Sequence, residues 1–329
     1  MKIGIIGPLQ SGKTTIFKIL LQSDASGNIG VFKAVDHRID KIAKAFSSKK
    51  TTYPELTFVD LGVTSGFKKK DLSQLQDIDL FICVAGAFFS QDPKKDFESA
   101  LTDIILFDLE VMQDRIAKLQ KEKKAGTEQE LKALEKCQTA LSDGRLLHKA
   151  GLEKEELRLF SGLTFLSLRP LIMAINVSDE DKRGLKALEE YCASKDMRFI
   201  RFSGKTELEL LELEPEEREK FHKEMGLGQS FREEMSKLVM KELELITFFT
   251  TGEKETRGWY LKSGLPAIEA AGKIHTDMKR GFIRAEIVNF EDFIKCGSMP
   301  KAREAGVLKV EGKDYIVRDG DIINVRFSV

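Results

Sequence analysis

Gly7-Pro8-Leu9-Gln10-Ser11-Gly12-Lys13-Thr14 reads G-x-x-x-x-G-K-[ST] in full. Before it lies Lys2–Ile6, a short apolar run bounded by Gly7. After it, Ile16, Phe17, Ile19, Leu20 and Leu21 recur at helical spacing. The stretch therefore joins a predicted strand to a predicted helix, the context in which the pattern has a physical meaning. Glycines let the backbone fold round phosphate oxygens, and the loop amides form an anion nest. The helix N-terminus adds its partial positive charge. Gly7, Gln10, Ser11, Gly12, Lys13, Thr14 and Thr15 are thus expected to bind phosphate. Lys13 would neutralise the β/γ oxygens and Thr14 would ligate Mg²⁺.

Further apolar runs follow: Leu56–Val59, Leu80–Val84, Leu171–Ile175 and Arg198–Phe202. Ser23–Gly30 reads as a polar, glycine-bearing break. Short buried-type strands alternating with helical stretches predict an α/β fold built on a parallel sheet. Asp60 closes its strand as a Walker B carboxylate does, and is expected to hold Mg²⁺ with Thr14, through water. Asn176-Val177-Ser178-Asp179 is similar to the base-reading element N-K-x-D, with Val177 in place of the lysine that flanks the base. An aspartate there can accept from guanine N1–H and N2–H₂, and Asn176 would tie the base loop to the phosphate loop. Ser203, Gly204 and Lys205 follow the next strand, where small residues and a lysine complete a base pocket. The base-binding set is therefore Asn176, Val177, Asp179, Ser203, Gly204 and Lys205. The expected ligand is a purine nucleoside triphosphate, ATP or GTP, with Mg²⁺.

Between the third and fourth runs, Ile105, Leu109, Met112, Ile116 and Leu119 step as a heptad seam. Gly126 breaks it, and Thr127-Glu128-Gln129-Glu130 reads as a capping box in which Glu130 reaches back to the cap. Leu131, Leu134 and Leu141 resume the apolar face, so an inserted antiparallel helical arm is predicted. From about Leu245 the pattern changes. Ile246–Phe249 and Arg257–Leu261 read as strands, Pro266–Ile274 as a helix, and Ile283–Val288 as an alternating strand. Lys309–Val317 reads as a hairpin with a glycine turn and Ile322–Phe327 as a closing strand. A hairpin, one helix and further strands suggest an α+β module of the β-grasp kind.

Composition narrows the partners. The 329 residues carry 53 Lys+Arg against 53 Asp+Glu, so a dominant basic footprint for DNA is lacking. No apolar run approaches the ~18 residues of a membrane span, and the start does not read as a signal peptide. Four cysteines are scattered without a CxxC pair, which fits a reduced, cytoplasmic setting. Arg280, Arg284, Lys301, Arg303, Lys309, Lys313 and Arg318 are interleaved with Phe282, Phe290 and Tyr315, a composition compatible with RNA or with a mixed protein surface.

The chain resembles the YchF / Obg-like ATPases, a branch of the translation-factor-related P-loop NTPases. Thr247-Phe248-Phe249-Thr250, Ala270-Ala271-Gly272-Lys273-Ile274-His275-Thr276-Asp277 and Gly281-Phe282-Ile283-Arg284-Ala285-Glu286 are similar to the family's TGS domain. So is Glu311-Gly312-Lys313-Asp314-Tyr315-Ile316-Val317-Arg318-Asp319-Gly320-Asp321. The resemblance implies a ubiquitin-like β-grasp module and docking to the ribosome or a translation factor through the arm and that module. It also exposes departures. The family's D-x-x-G is here Asp60-Leu61-Gly62, one residue short, followed by Val63. Gln22–Val35, matching switch I, contains no threonine for Mg²⁺. The loop histidine that the family uses is missing, for there is no histidine between Asp79 and Asp108. The family's base-reading glutamate suits adenine, whereas Asp179 suits guanine better. No catalytic residue is therefore assigned.

The expected organisation is a P-loop, G-type domain over 1–104 and 165–244, a helical insertion over 105–164 and a β-grasp domain over 245–329. The expected behaviour is nucleotide binding with slow intrinsic hydrolysis, because positioning and charge stabilisation supply most of phosphoryl-transfer catalysis. Two alternatives stand beside it: an NTPase completed in trans by its partner, and a scaffold that has lost nucleotide control.

Overall fold

The computed structural model describes residues 1–22, 27–34, 36–62, 66–68, 72–88, 90, 92–122, 127–178, 185–224 and 230–328. The chain forms two compact units, Met1–Val31 with Thr57–Met235, and Phe32–Leu56 with Ser236–Val329. Chain order alone places 32–56 with the nucleotide-binding part, and the structure packs that segment in the second unit.

The first sheet contains β1 (Lys2–Ile6), β2 (Ile29–Lys33), β4 (Glu55–Asp60), β5 (Leu80–Gly86), β6 (Leu171–Asn176) and β7 (Arg198–Phe202). Their spatial order is β2-β4-β1-β5-β6-β7, and the pairs from β4 through β7 are parallel. Every residue of β5 and β6 is buried, as expected of central parallel strands covered on both faces. β2 begins at the end of the stretch Ser23–Gly30 that reads as a break and runs on past it, because an edge strand needs no continuous apolar run. Its Ile29 and Val31 are exposed, and Gly30 interrupts the pattern.

Helices α1 (Lys13–Leu21), α3 (Leu72–Leu75), α7 (Leu185–Ser194), α8 (Gly204–Leu211), α9 (Pro215–Glu224) and α10 (Phe231–Glu242) complete the α/β pattern. The arm is α4 (Pro93–Glu122), α5 (Thr127–Ser142) and the short α6 (Lys154–Leu159). Phe97, Ile104 and Phe107 of α4 enter the sheet's core beside Cys83, Met173 and Ile175. Further along α4, Met112 and Leu119 pack with Leu134, Cys137 and Leu141 of α5. The heptad seam thus becomes the inner face of a helical hairpin.

Glu130 does not reach back to a cap. It reaches across the hairpin, accepting Arg115 Nε at 2.6 Å and Nη2 at 2.8 Å. A bidentate guanidinium–carboxylate pair beside the hairpin core is stronger than a cap bond. Glu130→Ala is expected to cost about 1–2 kcal/mol, because half-exposed Arg115 recovers water as a partner. Urea denaturation checks this, and an unchanged midpoint would overturn the pin.

In the second unit, β8 (Leu245–Thr250) and β9 (Thr256–Lys262) form an antiparallel hairpin. β12 (Asp321–Phe327) runs parallel to β8 and antiparallel to β10 (Phe282–Asn289). First and last strands lying parallel at the centre, with α11 (Ala267–Ile274) across one face, is β-grasp architecture. The opposite face carries α13 (Phe290–Cys296), α14 (Met299–Glu304) and, from the early segment, α2 (His37–Ala45). β3 (Thr51–Thr52) extends the sheet beyond β9. The short α12 (Thr276–Arg280) follows α11, and His275 caps it through Nδ1, which accepts from Asp277 N at 3.2 Å.

The Lys309–Val317 hairpin does not form. β11 (Lys309–Glu311) pairs with β10, and Ile316 bridges to Pro266 instead. The backbone after the Gly312 turn is taken by the α11 start, where Ala267 N donates to Tyr315 O at 2.8 Å. Among the described residues, no helix is long and apolar enough to cross a membrane.

Candidate functional site

The strand β1 runs between β4 and β5, so the loop after it emerges at the carboxyl edge of the sheet. Gly7 leaves the strand at φ +142°, and a Cβ there would sit 2.4 Å from Val84 O. Gly12, at φ 103° and ψ 22°, is the N-cap of α1. A Cβ on Gly12 would lie 2.3 Å from Asn176 Nδ2. Between these glycines Gln10 also adopts a positive φ of 61°. Only glycine satisfies both ends of this curve without displacing backbone or a buried amide.

The loop closes round its own lysine. Lys13 Nζ donates to Gly7 O at 2.8 Å and to Pro8 O at 2.7 Å. Burial holds the Lys13 pKa below the ordinary lysine value, while the charge of Asp60 pulls the other way. Ser11 is 3% exposed, and its Oγ finds no hydrogen-bond partner among the described residues. A buried hydroxyl without a partner costs about 1–3 kcal/mol and calls for an explanation. Thr14 is exposed and Thr15 half-buried, at the open start of the helix.

Asp60 ends β4 in register with Ile5. Its Oδ1 accepts from Gly62 N at 3.1 Å. Thr14 and Asp60 offer a hydroxyl and a carboxylate, the oxygen donors Mg²⁺ prefers when phosphate and water complete its shell. Among the described residues no group of three or more His, Cys, Asp or Glu side chains gathers round a metal position.

Asn176 is buried at the end of β6 and ties two distant loops together. Its Nδ2 donates to Ser11 O at 3.2 Å, and its Oδ1 accepts from Gly204 N at 2.9 Å. Gly204 has no room for a side chain: a Cβ would lie 2.9 Å from Thr15 Cγ2 and 3.0 Å from Asn176 Oδ1. Ser203 caps α8, accepting from Thr206 N at 3.3 Å. Val177 N donates to Phe202 O at 2.9 Å, and Lys205 is exposed. The structure thus brings Gly7–Thr15, Asn176, Val177, Ser203, Gly204 and Lys205 to one edge of the sheet. Asp179 and Val63 lie outside the described residues.

Sequence reasoning passed over Gly86, which closes β5 beneath the loop. A Cβ there would come within 3.1 Å of Ser11 Cα. The signal was a glycine ending a fully apolar strand, but nothing in the pattern tells which loop approaches it. Burial pushes the Cys83 thiol of the same strand up to about 12, while the charge of Lys13 pulls it down.

Comparison with known proteins agrees with this geometry. A family model described as "YchF-GTPase_C: Protein of unknown function (DUF933)" matches residues 245–328. The ribosome-binding ATPase YchF of Bacillus subtilis (strain 168) is 33% identical over 361 positions, covering 99% of each chain. Its counterpart from Escherichia coli O157:H7 is 33% identical over 360 positions, covering 100% of this chain and 99% of the other. Alignments of that length exceed the 329 residues present here, so these relatives carry segments that this chain lacks. The solved structure of the Schizosaccharomyces pombe YchF GTPase superposes with a TM-score of 0.90 at 24% identity. That match covers 99% of this chain and 97% of the other.

Proposed function

The chain belongs to the YchF family, and from that premise we propose that it binds a purine nucleoside triphosphate with Mg²⁺ and docks to the ribosome. The observation that carries the nucleotide half is the phosphate loop. A desolvated lysine, an orphaned buried hydroxyl and two glycines pressed against neighbouring atoms describe a cradle for anionic oxygens. In this reading Lys13 neutralises phosphate, Thr14 and Asp60 hold Mg²⁺, and Asn176 keeps the base loop against the phosphate loop. Bound Mg²⁺ would supply charge neutralisation across the phosphates.

Intrinsic hydrolysis is proposed to be slow. Gln22–Val35 offers no threonine and the stretch from Asp79 to Asp108 no histidine. The Gly62 amide is engaged by Asp60. The ribosome half rests on the relatives' names and on one surface of the second unit. Arg284 and Arg326 stand directly opposite each other on β10 and β12. Like charges in that position are unfavourable. Arg303 and Arg326 also converge on Glu286, at 3.4 and 3.1 Å. Such a face suits RNA phosphate, and the module bearing it corresponds to the TGS domain of the family resemblance. Work in the cytoplasm follows from a ribosomal partner.

Calorimetry of the full chain with ATP and GTP, with and without Mg²⁺, tests this. Binding of at least one triphosphate, weakened by removing Mg²⁺, is expected, with turnover near background. Binding of neither would favour the scaffold reading. Turnover raised strongly by added ribosomes would favour completion in trans.

A further inference from the structure

The turn that carries Ser203, Gly204 and Lys205 is gripped on both flanks by the first residue of α10. Phe231 sets its ring against Phe202, the last residue of β7, with centroids 4.8 Å apart. Its backbone N–H hydrogen-bonds the Glu207 carboxyl. Phe202 immediately precedes the turn, and Glu207 lies one helical turn beyond Gly204 on the same side of α8. Arg218 of α9 closes the far end of α8, donating to Leu210 O at 2.9 Å, Leu211 O at 3.2 Å and Leu213 O at 3.0 Å. A helix of 8 residues is too short to hold itself, so these outside contacts fix where it stands. All of these residues belong to the first unit.

We infer that Glu207 is a positioning residue for the base side of the nucleotide site: lodged between α8 and the first turn of α10, it holds the Ser203–Lys205 turn against Asn176. The inference rests on the nucleotide reading above and adds a residue outside the base-binding set. Gly204 N donates to Asn176 Oδ1 at 2.9 Å, and Asn176 Nδ2 donates to Ser11 O at 3.2 Å. A drift of α8 would therefore pull on the bond that joins the base loop to the phosphate loop. The joint is also sensitive to protons. Burial lifts the Glu207 carboxyl to about 7, with Arg218 and the Phe231 N–H pulling it down and Glu234 adding to the lift. Arg232 and Glu233 share the first turn of α10 with Glu234, and Arg232 feels both Arg218 and Glu233. α1, which packs along α8, brings Lys13 and Lys18. An opened joint would return Glu207 to water and to its ordinary value of 4.5. The closed joint thus holds the proton more tightly, so closure weakens as pH rises from about 4.5 to about 7 and levels off above.

The test compares wild type, Glu207→Ala and Glu207→Gln in the full chain. Calorimetry at pH 6 would use ATP and GTP with Mg²⁺, alongside thermal denaturation. Glu207→Ala is expected to weaken nucleotide binding by about fivefold, the worth of one hydrogen bond. Glu207→Gln keeps an oxygen for the Phe231 N–H and should stay near wild type. Hydrogen exchange then reads the joint without ligand. In Glu207→Ala the Gly204 amide should lose protection while the amides of β6 keep theirs. Between pH 5.5 and 7.5, protection at Gly204 in wild type should fall by about tenfold or more relative to Glu207→Gln, which carries no charge to bury. Asp108 titrates in both proteins and cancels. Unchanged affinity in a folded Glu207→Ala protein, equal loss of protection at Gly204 and β6, or a pH response shared by Glu207→Gln would overturn the positioning role while leaving nucleotide binding intact. Failure of the wild type to bind either nucleotide would overturn the nucleotide reading itself.

Discussion

Lys13→Ala is expected to weaken nucleotide binding by roughly thirty-fold or more while leaving a folded protein. The ammonium is buried and held between two loop carbonyls, so a polyphosphate meets a charge already placed and already stripped of most of its water. Removing one member of a buried charge pair typically costs about 2–5 kcal/mol. At about 1.4 kcal/mol per decade, that is a loss of roughly thirty- to several-thousand-fold. Stability should move far less. The variant gives up two hydrogen bonds but also a desolvated charge, and these offset each other. Calorimetry alongside thermal denaturation separates the two effects. Undiminished binding by a folded Lys13→Ala protein would remove the phosphate loop from the account.

The largest effect on stability is expected at Asp108. This carboxylate on α4 is fully buried. Its Oδ1 accepts from Leu166 N at 2.7 Å, and its Oδ2 accepts from Ser167 N at 2.8 Å and from the Ser167 hydroxyl. The clamp fixes the turn that feeds β6, the strand that ends on Asn176. Asp108→Ala leaves three buried donors unmatched and is expected to cost about 3–5 kcal/mol. Asp108→Asn should also destabilise, because an amide N–H₂ would face donors. Burial pushes the Asp108 carboxyl up to about 6, against the pull of its three donors. Its folded pKa thus exceeds the unfolded value of 3.8, so the native state holds the proton more tightly. The stability that Asp108 contributes is therefore greatest near pH 4 and declines as pH rises to about 6. The gap between wild type and Asp108→Ala in urea denaturation should be wider at pH 4 than at pH 7. A gap that narrows in acid would show that the ionised form is the clamp.

Much of this was legible in the residues. The ends of β1 match the apolar run Lys2–Ile6, because a central strand shows a hydrophobic run bounded by turn residues; those of the edge strand β7 match Arg198–Phe202, because its inner face still buries Ile200 and Phe202. The phosphate loop was legible because its function needs glycine at fixed spacing. Asn176 was legible because a motif places it. What stayed hidden depends on partners far away in sequence. Asp108 meets Ser167 across 59 residues and Asp103 meets Gly66 across 37, and neither contact leaves a periodic trace. Glu130 fitted a local rule and obeyed a longer-range one, since Arg115 on the facing helix offered two donors where a cap offers one. β2 was missed because an edge strand with an exposed face carries too little apolar pattern. β11 was mispaired because a turn glycine signals a reversal and not which neighbour lies beyond it.

The early segment that joins the second unit makes the carboxyl-terminal module a poor candidate for excision. Ile39 and Ile42 of α2 help fill the packing of Phe249, Phe290 and Phe293. Phe46 stacks on Phe293 with ring centroids 5.3 Å apart. Arg38 reaches Asp319 at 2.6 Å, and Asp319 in turn accepts from Thr247 N. A fragment cut at residue 245 would lose the contacts of Arg38, Ile39, Ile42 and Phe46 and bare an aromatic face. Recombination that transplanted 245–328 alone would therefore carry an unfinished core into its new host. The module is an appendage in sequence and an interlaced graft in three dimensions, a reason for it to be inherited together with the loop-bearing half and not traded as a cassette.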